Sequence, residues 1–166
     1  MKLIIIAAVS VDGVIGIGDE MPWRIPEDFK HYRETTMGHT LICGSKTFKS
    51  LPQKAHEGRK FIILSSKYDD SLDKLKYSQF TNVDNMLKSI EHWDKDVYVI
   101  GGESVYEQLI DYCDEAVITW VNKMYSNGDK KFPITKLFAN FEMLGDESWV
   151  KSTSDISFKI TYYRKI

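Results

Sequence analysis

Cysteine is scarce in this chain. Only Cys43 and Cys113 occur, with no CxxC pair and no Cys/His cluster at metal-ligand spacing. That excludes a disulfide-stapled fold and predicts no metal site. It leaves two buried thiols of the kind a reducing compartment keeps. A long apolar run is also missing. Leu3–Val9 is apolar, but Asp12 soon interrupts it, too early for a signal peptide or a membrane span. A cytoplasmic protein with no membrane partner follows by default. Nor is either charge in excess: 22 Lys and Arg stand against 24 Asp and Glu, for a net charge of -2. No basic field invites nucleic acid, and Arg59–Lys60 is too short to form a patch. Repeats, low-complexity stretches and long linkers are absent as well. What remains is a 166-residue chain of ordinary globular composition, sized for a single domain over residues 1–166 with one core.

Short apolar runs rich in β-branched residues recur at Leu3–Val9, Thr40–Cys43, Phe61–Leu64, Val97–Ile100 and Ala116–Val121. Each has the length of a strand buried on both faces. Helical patterns lie between several of them. Pro26–Met37 reads as a helix with proline in its first turn. Val83, Met86, Leu87 and Ile90 have helical spacing, and so do Val105, Leu109 and Ile110. This alternation predicts an α/β fold: a mixed, mostly parallel central sheet with helices on both faces. Near the C-terminus, Phe158, Ile160 and Tyr162 alternate with Lys159, Thr161 and Tyr163. That is the pattern of an antiparallel strand near the sheet edge. Asn122–Pro133, with its Asn127–Gly128 turn signal, reads as a long, polar, mobile loop.

In open α/β sheets, ligands sit at the carboxyl ends of the strands, and three such ends suit phosphate here. After Val97–Ile100 come Gly101 and Gly102, then the helix from Ser104. Glycine lets the backbone approach a pyrophosphate, and helix-start N–H groups favour anions. Taken alone the pair reads as a tight turn, because the GxGxxG fingerprint is absent. After Thr40–Cys43 comes Gly44-Ser45-Lys46-Thr47. It resembles the tail of a P-loop but fails the pattern, with Ser45 after the glycine and His39 where an earlier glycine belongs. After Phe61–Leu64 come Ser65, Ser66 and Lys67, two hydroxyls and an ammonium suited to a phosphomonoester. Such residues more commonly form a solvated turn. Together the three ends point to an extended, multiply phosphorylated ligand lying across the sheet.

The segment from Met21 to Asp28 supplies a different chemistry. Asp28 falls in the first turn of the predicted helix, with Phe29, Tyr32 and Thr36 on or beside one face. Helix-start N–H groups favour the carboxylate, while burial among aromatics disfavours it. Burial is expected to win and raise the pKa when the Gly13–Arg24 loop is closed. Spacing alone equally allows Asp28 to be a dipole-stabilising charge and Trp23 to be core.

These motifs resemble, in order, those of the dihydrofolate reductase family. The carriers are Val11-Asp12-Gly13-Val14-Ile15-Gly16, Met21-Pro22-Trp23, Pro26 with Asp28, Gly44 to Thr47, Gly58 to Ser66, Ile100 to Gln108 and Phe132-Pro133. They span roughly residues 3 to 133, and the tail fits the family's last strands weakly.

The resemblance implies a monomeric, NADPH-dependent reductase of dihydrofolate. Asp28, supported by Thr119, would accept hydrogen bonds from the pterin. Ile6, Ala8, Phe29, Tyr32, Leu51 and Ile100 would line the substrate pocket, and Arg59 would pair with the carboxylate of the glutamate tail. NADPH would present its nicotinamide near Ala8, Ile15 and Tyr106. Further cofactor contacts would come from Val14 and Gly16, from Gly44, Lys46 and Thr47, and from Leu64, Ser65, Ser66 and Lys67. Gly101, Gly102, Ser104 and Val105 complete the set. Met21 and Trp23, with Tyr106, join Asp28 in the catalytic group, on a Gly13–Arg24 loop that closes over the nicotinamide. The Gly101–Gly102 bond would be cis.

The chain departs from the family pattern in places. Ser45 and Ser104 stand where arginines are frequent, and Glu103 replaces a small residue, which leaves Lys46 and Lys67 to address the 2′-phosphate. Pro52–Glu57 is also unusual. Two other readings stay open at this point: a related-fold reductase of a pyrimidine intermediate in riboflavin synthesis, and a folate-binding protein without catalysis.

Overall fold

The computed structural model describes residues 1–145 and 147–166. The elements run β1 (Leu3–Ser10), β2 (Val14–Gly16), α1 (Pro26–Thr36), β3 (Thr40–Cys43), α2 (Ser45–Ser50), β4 (Lys60–Leu64) and β5 (Tyr77–Phe80). There follow α3 (Val83–Ile90), β6 (Val97–Gly101), α4 (Glu103–Leu109), β7 (Glu115–Val121), β8 (Lys130–Lys131), α5 (Ile134–Asn140), β9 (Phe141–Met143), β10 (Val150–Lys151) and β11 (Ser157–Lys165). The main sheet has the order β10-β11-β7-β1-β6-β3-β4-β5, with β9 also paired to β11. From β7 to β5 every neighbour is parallel. Strand β11 pairs with β7, β9 and β10 antiparallel. This is the mixed, mostly parallel sheet that the strand–helix alternation predicts.

Period-2 alternation in β1 divides the core. Leu3, Ile5, Ala7 and Val9 pack with Met86 and Ile90 of α3, Val105 and Leu109 of α4, and Leu137 of α5. Ile4 and Ile6 face the other way, toward Tyr32 of α1. On that same side Phe48 of α2 packs with Leu41 and Phe61. Helices therefore cover both faces, and β1, central and buried, can be apolar on each.

Helix α1 starts where proline dictates. Ile25 is extended, Pro26 opens the helix, and Glu27 and Asp28 meet the positive end of its dipole. It ends at Gly38, whose φ of +80 turns the chain and whose N–H donates to the Gly58 carbonyl at 2.8 Å.

The 122–133 segment is less loop-like than its composition suggests. Lys130 and Lys131 pair with Gly16 and Val14 in a small second sheet, and Tyr125 and Phe132 are buried. The Tyr125 N–H donates to the Asp12 carboxylate at 3.0 Å. Hydropathy missed these anchors because each is a single apolar residue among polar ones. At the other end of the sheet, Thr161 and Tyr163 are buried while Tyr162 is 43% exposed. Tyr163 packs in the α5 layer, where its hydroxyl accepts from Trp120 Nε1 at 3.0 Å. Both cysteines are buried thiols, as the composition predicts.

Candidate active site

One cleft of about 1520 Å³ runs along the carboxyl ends of the parallel strands and under the segment that follows β2. Its apolar half lies between β1 and α1. All nine substrate-site residues named from the sequence line it: Ile6, Ala8, Asp28, Phe29, Tyr32 and Leu51, with Arg59, Ile100 and Thr119.

Asp28 is held there by helix start and sheet together. Its N–H donates to the Ile25 carbonyl at 3.0 Å as α1 begins, and Thr119 of β7 reaches it from the adjacent sheet. The Thr119 hydroxyl donates to Asp28 Oδ1 at 2.5 Å. Burial raises the carboxyl above the ordinary carboxylate range, opposed by the Thr119 hydrogen bond and by His31. Desolvation, the largest cause, outweighs these two here.

Arg59 is anchored at the outer end. Its Nε donates to Thr36 Oγ1 at 2.9 Å, its Nη1 to the carbonyls of Glu57 and Ala55 at 2.9 and 3.4 Å, and its Nη2 to the Arg33 carbonyl at 2.9 Å. A guanidinium has five N–H donors. Four are spent on fixing its position, and the other Nη2–H remains for a ligand.

The second half of the cleft is polar. Gly44, Lys46 and Thr47 line it at the start of α2, Leu64, Ser65 and Ser66 at the end of β4, and Gly102, Ser104, Val105 and Tyr106 at α4. The Gly44 N–H donates to the Gly101 carbonyl at 2.9 Å, which holds two of these strand ends together. Ser65 Oγ lies 3.5 Å from Ser45 Oγ and links the third. The three separate phosphate signals in the sequence thus belong to one wall. Ala8, Ile15, Gly16 and Met21 lie on the wall as well.

Four named residues lie elsewhere. Gly101 sits behind the wall, with φ +107 and a cis bond to Gly102. A Cβ there would come within 2.9 Å of the Tyr106 ring, so only glycine fits. Val14 and Trp23 belong to a core cluster with Ile25, Val121, Tyr125 and Phe158, and the Trp23 and Tyr125 rings are 5.4 Å apart. They hold the loop in place rather than face the cleft. Lys67 is exposed beyond the wall. Tyr106, named as catalytic, donates its hydroxyl to the Ile6 carbonyl at 2.9 Å. Burial pushes its pKa up strongly, and the bond to the Ile6 carbonyl fixes the ring against β1.

Sequence reasoning missed Lys130, Arg33, Ser45 and the Gly18–Glu20 turn, all of which line the cleft. Arg33 had a signal, since it stands four residues after Phe29 on α1. Lys130 had none, because its place depends on the β2–β8 register.

The chain matches the family described as dihydrofolate reductase over residues 2–165. It is 33% identical over 161 residues to the dihydrofolate reductase of Mycoplasma pneumoniae, covering 96% of this chain and 95% of that protein. It is 34% identical over 158 residues to that of Mycobacterium tuberculosis, covering 93% and 88%. Its fold superposes with a TM-score of 0.85 and 25% identity on a dihydrofolate reductase from Enterococcus faecalis complexed with NADP(H) and RAB-propyl, covering 99% of this chain and 96% of that one.

Proposed function

Because the chain belongs to the dihydrofolate reductase family, we propose that the two halves of its cleft divide substrate from cofactor. The protein reduces dihydrofolate to tetrahydrofolate with NADPH. The observation that carries the division of labour is Asp28, a half-buried carboxylate bonded to Thr119 in the apolar half, while the other half presents hydroxyls and Lys46 at three strand ends.

Bound NADPH supplies the hydride that goes to C6 of the pterin, and a proton goes to N5. The wall fits such a group, since it offers donors and a cation at three points along one line. In the apolar half, Oδ1 of Asp28 is already engaged by Thr119. The remaining carboxylate lone pairs accept from the 2-amino group and N3–H of the pterin. That contact lies away from N5, so Asp28 does not hand over the proton itself. Its negative charge raises the basicity of N5, and water delivers the proton. Ile6, Phe29 and Tyr32 exclude bulk solvent and so strengthen that field. Met21, 41% exposed at the mouth, belongs to the segment that limits water there. Arg59 takes the glutamate tail through its remaining Nη2–H.

The protein works as a monomer in the cytoplasm, with residues 1–166 as one domain and without nucleic-acid or membrane partners. Support comes from the cleft, whose walls run from Ile6 to Lys130 of one chain, from the two buried thiols and from the near-balanced charge. Among the described residues, no helix is long and apolar enough to cross a membrane. The decisive assay follows NADPH absorbance with dihydrofolate supplied. Loss of absorbance that depends on dihydrofolate is the expected result, and a protein that binds dihydrofolate without consuming NADPH would overturn the assignment.

A further inference from the structure

The cofactor half of the cleft is lined by acids as well as cations. Asp19, Glu20 and Glu103 line it, with Lys130 beside them and Lys46 and Lys49 along α2. A dinucleotide adds a diphosphate with two further negative charges, and Glu103 stands at the start of α4, beside Gly102 and Ser104. Ser104 Oγ accepts from Gln108 Nε2 at 2.9 Å and keeps its own O–H to donate. Lys46 serves the other end, in the first turn of α2, next to the Ser45 that approaches Ser65. Helix α4 itself carries no cation.

Lys130 is placed to supply one. In the β2–β8 pair it stands opposite Gly16, and its stem lies across that glycine. A Cβ at Gly16 would meet Lys130 Cβ and Cγ at 3.3 Å. The bare glycine therefore lets the lysine cross the loop strand into the cleft. Strand β8 is fixed from the opposite side by Glu103, whose Oε1 accepts from the Lys131 N–H at 2.8 Å. The ammonium itself is loosely held. Its nearest acid is Asp129 Oδ2 at 3.9 Å, while Asp129 Oδ1 accepts from the Gly18 N–H at 2.8 Å.

We propose that Lys130 receives the diphosphate of the dinucleotide, a contact that NADPH and NADH share. The proposal rests on the reading of this cleft as a dinucleotide site. It assigns Lys130 to diphosphate binding and leaves the 2′-phosphate to Lys46, so the two lysines separate affinity from cofactor choice.

The test titrates the whole protein and its Lys130→Met and Lys130→Arg variants with NADPH, NADH and adenosine 2′-monophosphate. Methionine keeps the stem over Gly16 and removes the charge. It should weaken NADPH and NADH alike by about tenfold, the range of a charge-assisted hydrogen bond. Arginine should retain most of the affinity, adenosine 2′-monophosphate should bind unchanged, and the salt dependence of NADPH binding should become shallower in the methionine variant. Unchanged dinucleotide affinity in Lys130→Met overturns the proposal while the function stands. Equal weakening of adenosine 2′-monophosphate, or no recovery with arginine, also overturns it by showing that the loss is structural. A wild-type protein that binds neither dinucleotide overturns the cofactor reading itself, and the proposal with it.

Discussion

Thr119 on β7 donates its hydroxyl to Oδ1 of Asp28 on α1 at 2.5 Å, across 91 residues of chain. This contact joins the sheet to the helix at the buried end of the cleft. It also decides which carboxylate lone pairs remain for a ligand. Thr119 is 2% exposed, so its hydroxyl has no water as a substitute, while the half-buried Asp28 faces the cleft.

Asp28→Asn keeps the shape and removes the charge. Hydride transfer in a single turnover at neutral pH should fall by about a hundredfold or more. It should recover in acid, where dihydrofolate arrives already protonated. A variant as fast as the parent at neutral pH, or one with no acid recovery, would contradict the assigned role. The stability effect has the opposite sign. Burial raises the native Asp28 pKa, so the unfolded chain sheds this proton first as pH rises. The native state is then penalised from the unfolded pKa upward, fully so above the native pKa. Asp28→Asn should therefore melt higher than the parent at neutral pH, with the gain vanishing as pH falls below the ordinary carboxylate range.

Thr119→Val removes the donor and leaves a half-buried carboxylate with one partner fewer. That should cost about 1–3 kcal/mol of stability by denaturant titration. Since the hydrogen bond lowers the Asp28 pKa, its loss should also move the pH–rate profile toward higher pH. Thr119→Ser should restore the profile.

Arg59→Leu should weaken dihydrofolate binding strongly and leave a dihydropterin lacking the glutamate nearly untouched, because only the full substrate offers a carboxylate. The four anchoring hydrogen bonds add a stability cost that a melt will read separately. Equal loss for both ligands in a calorimetric titration would mean that Arg59 only holds its neighbours.

Lys46→Met should weaken NADPH by about 1–3 kcal/mol and NADH hardly at all, if its ammonium meets the 2′-phosphate. Lys67→Met should change neither, since Lys67 lies beyond the cleft wall. Competition binding with both cofactors distinguishes these outcomes, and an equal loss of both in Lys46→Met would move the 2′-phosphate elsewhere.

The strands β1, β3, β4, β6 and β7 and the helix α1 were legible in the sequence, because burial on both faces demands continuous apolar runs and Pro26 marks a helix start. Every residue that the resemblance implies for the substrate pocket likewise lines the cleft. What local pattern left open was which neighbours lie across the sheet and which way a side chain turns. Trp23 and Val14 belong to motifs that border the site, yet they pack into a core that only the partners Tyr125 and Phe158 create. Tyr106 reads as a neighbour of the nicotinamide, and only the fold shows its hydroxyl tied to the Ile6 carbonyl. Strand β8 is two polar lysines, invisible to any hydropathy pattern, and its pairing with β2 carries Lys130 into the cleft. Apolar periodicity is a property of neighbours in the chain, so sequence records it. Register, the closing of a hydrogen bond between distant strands and the burial of a single tyrosine depend on contacts between segments remote in sequence, and tertiary packing alone decides those.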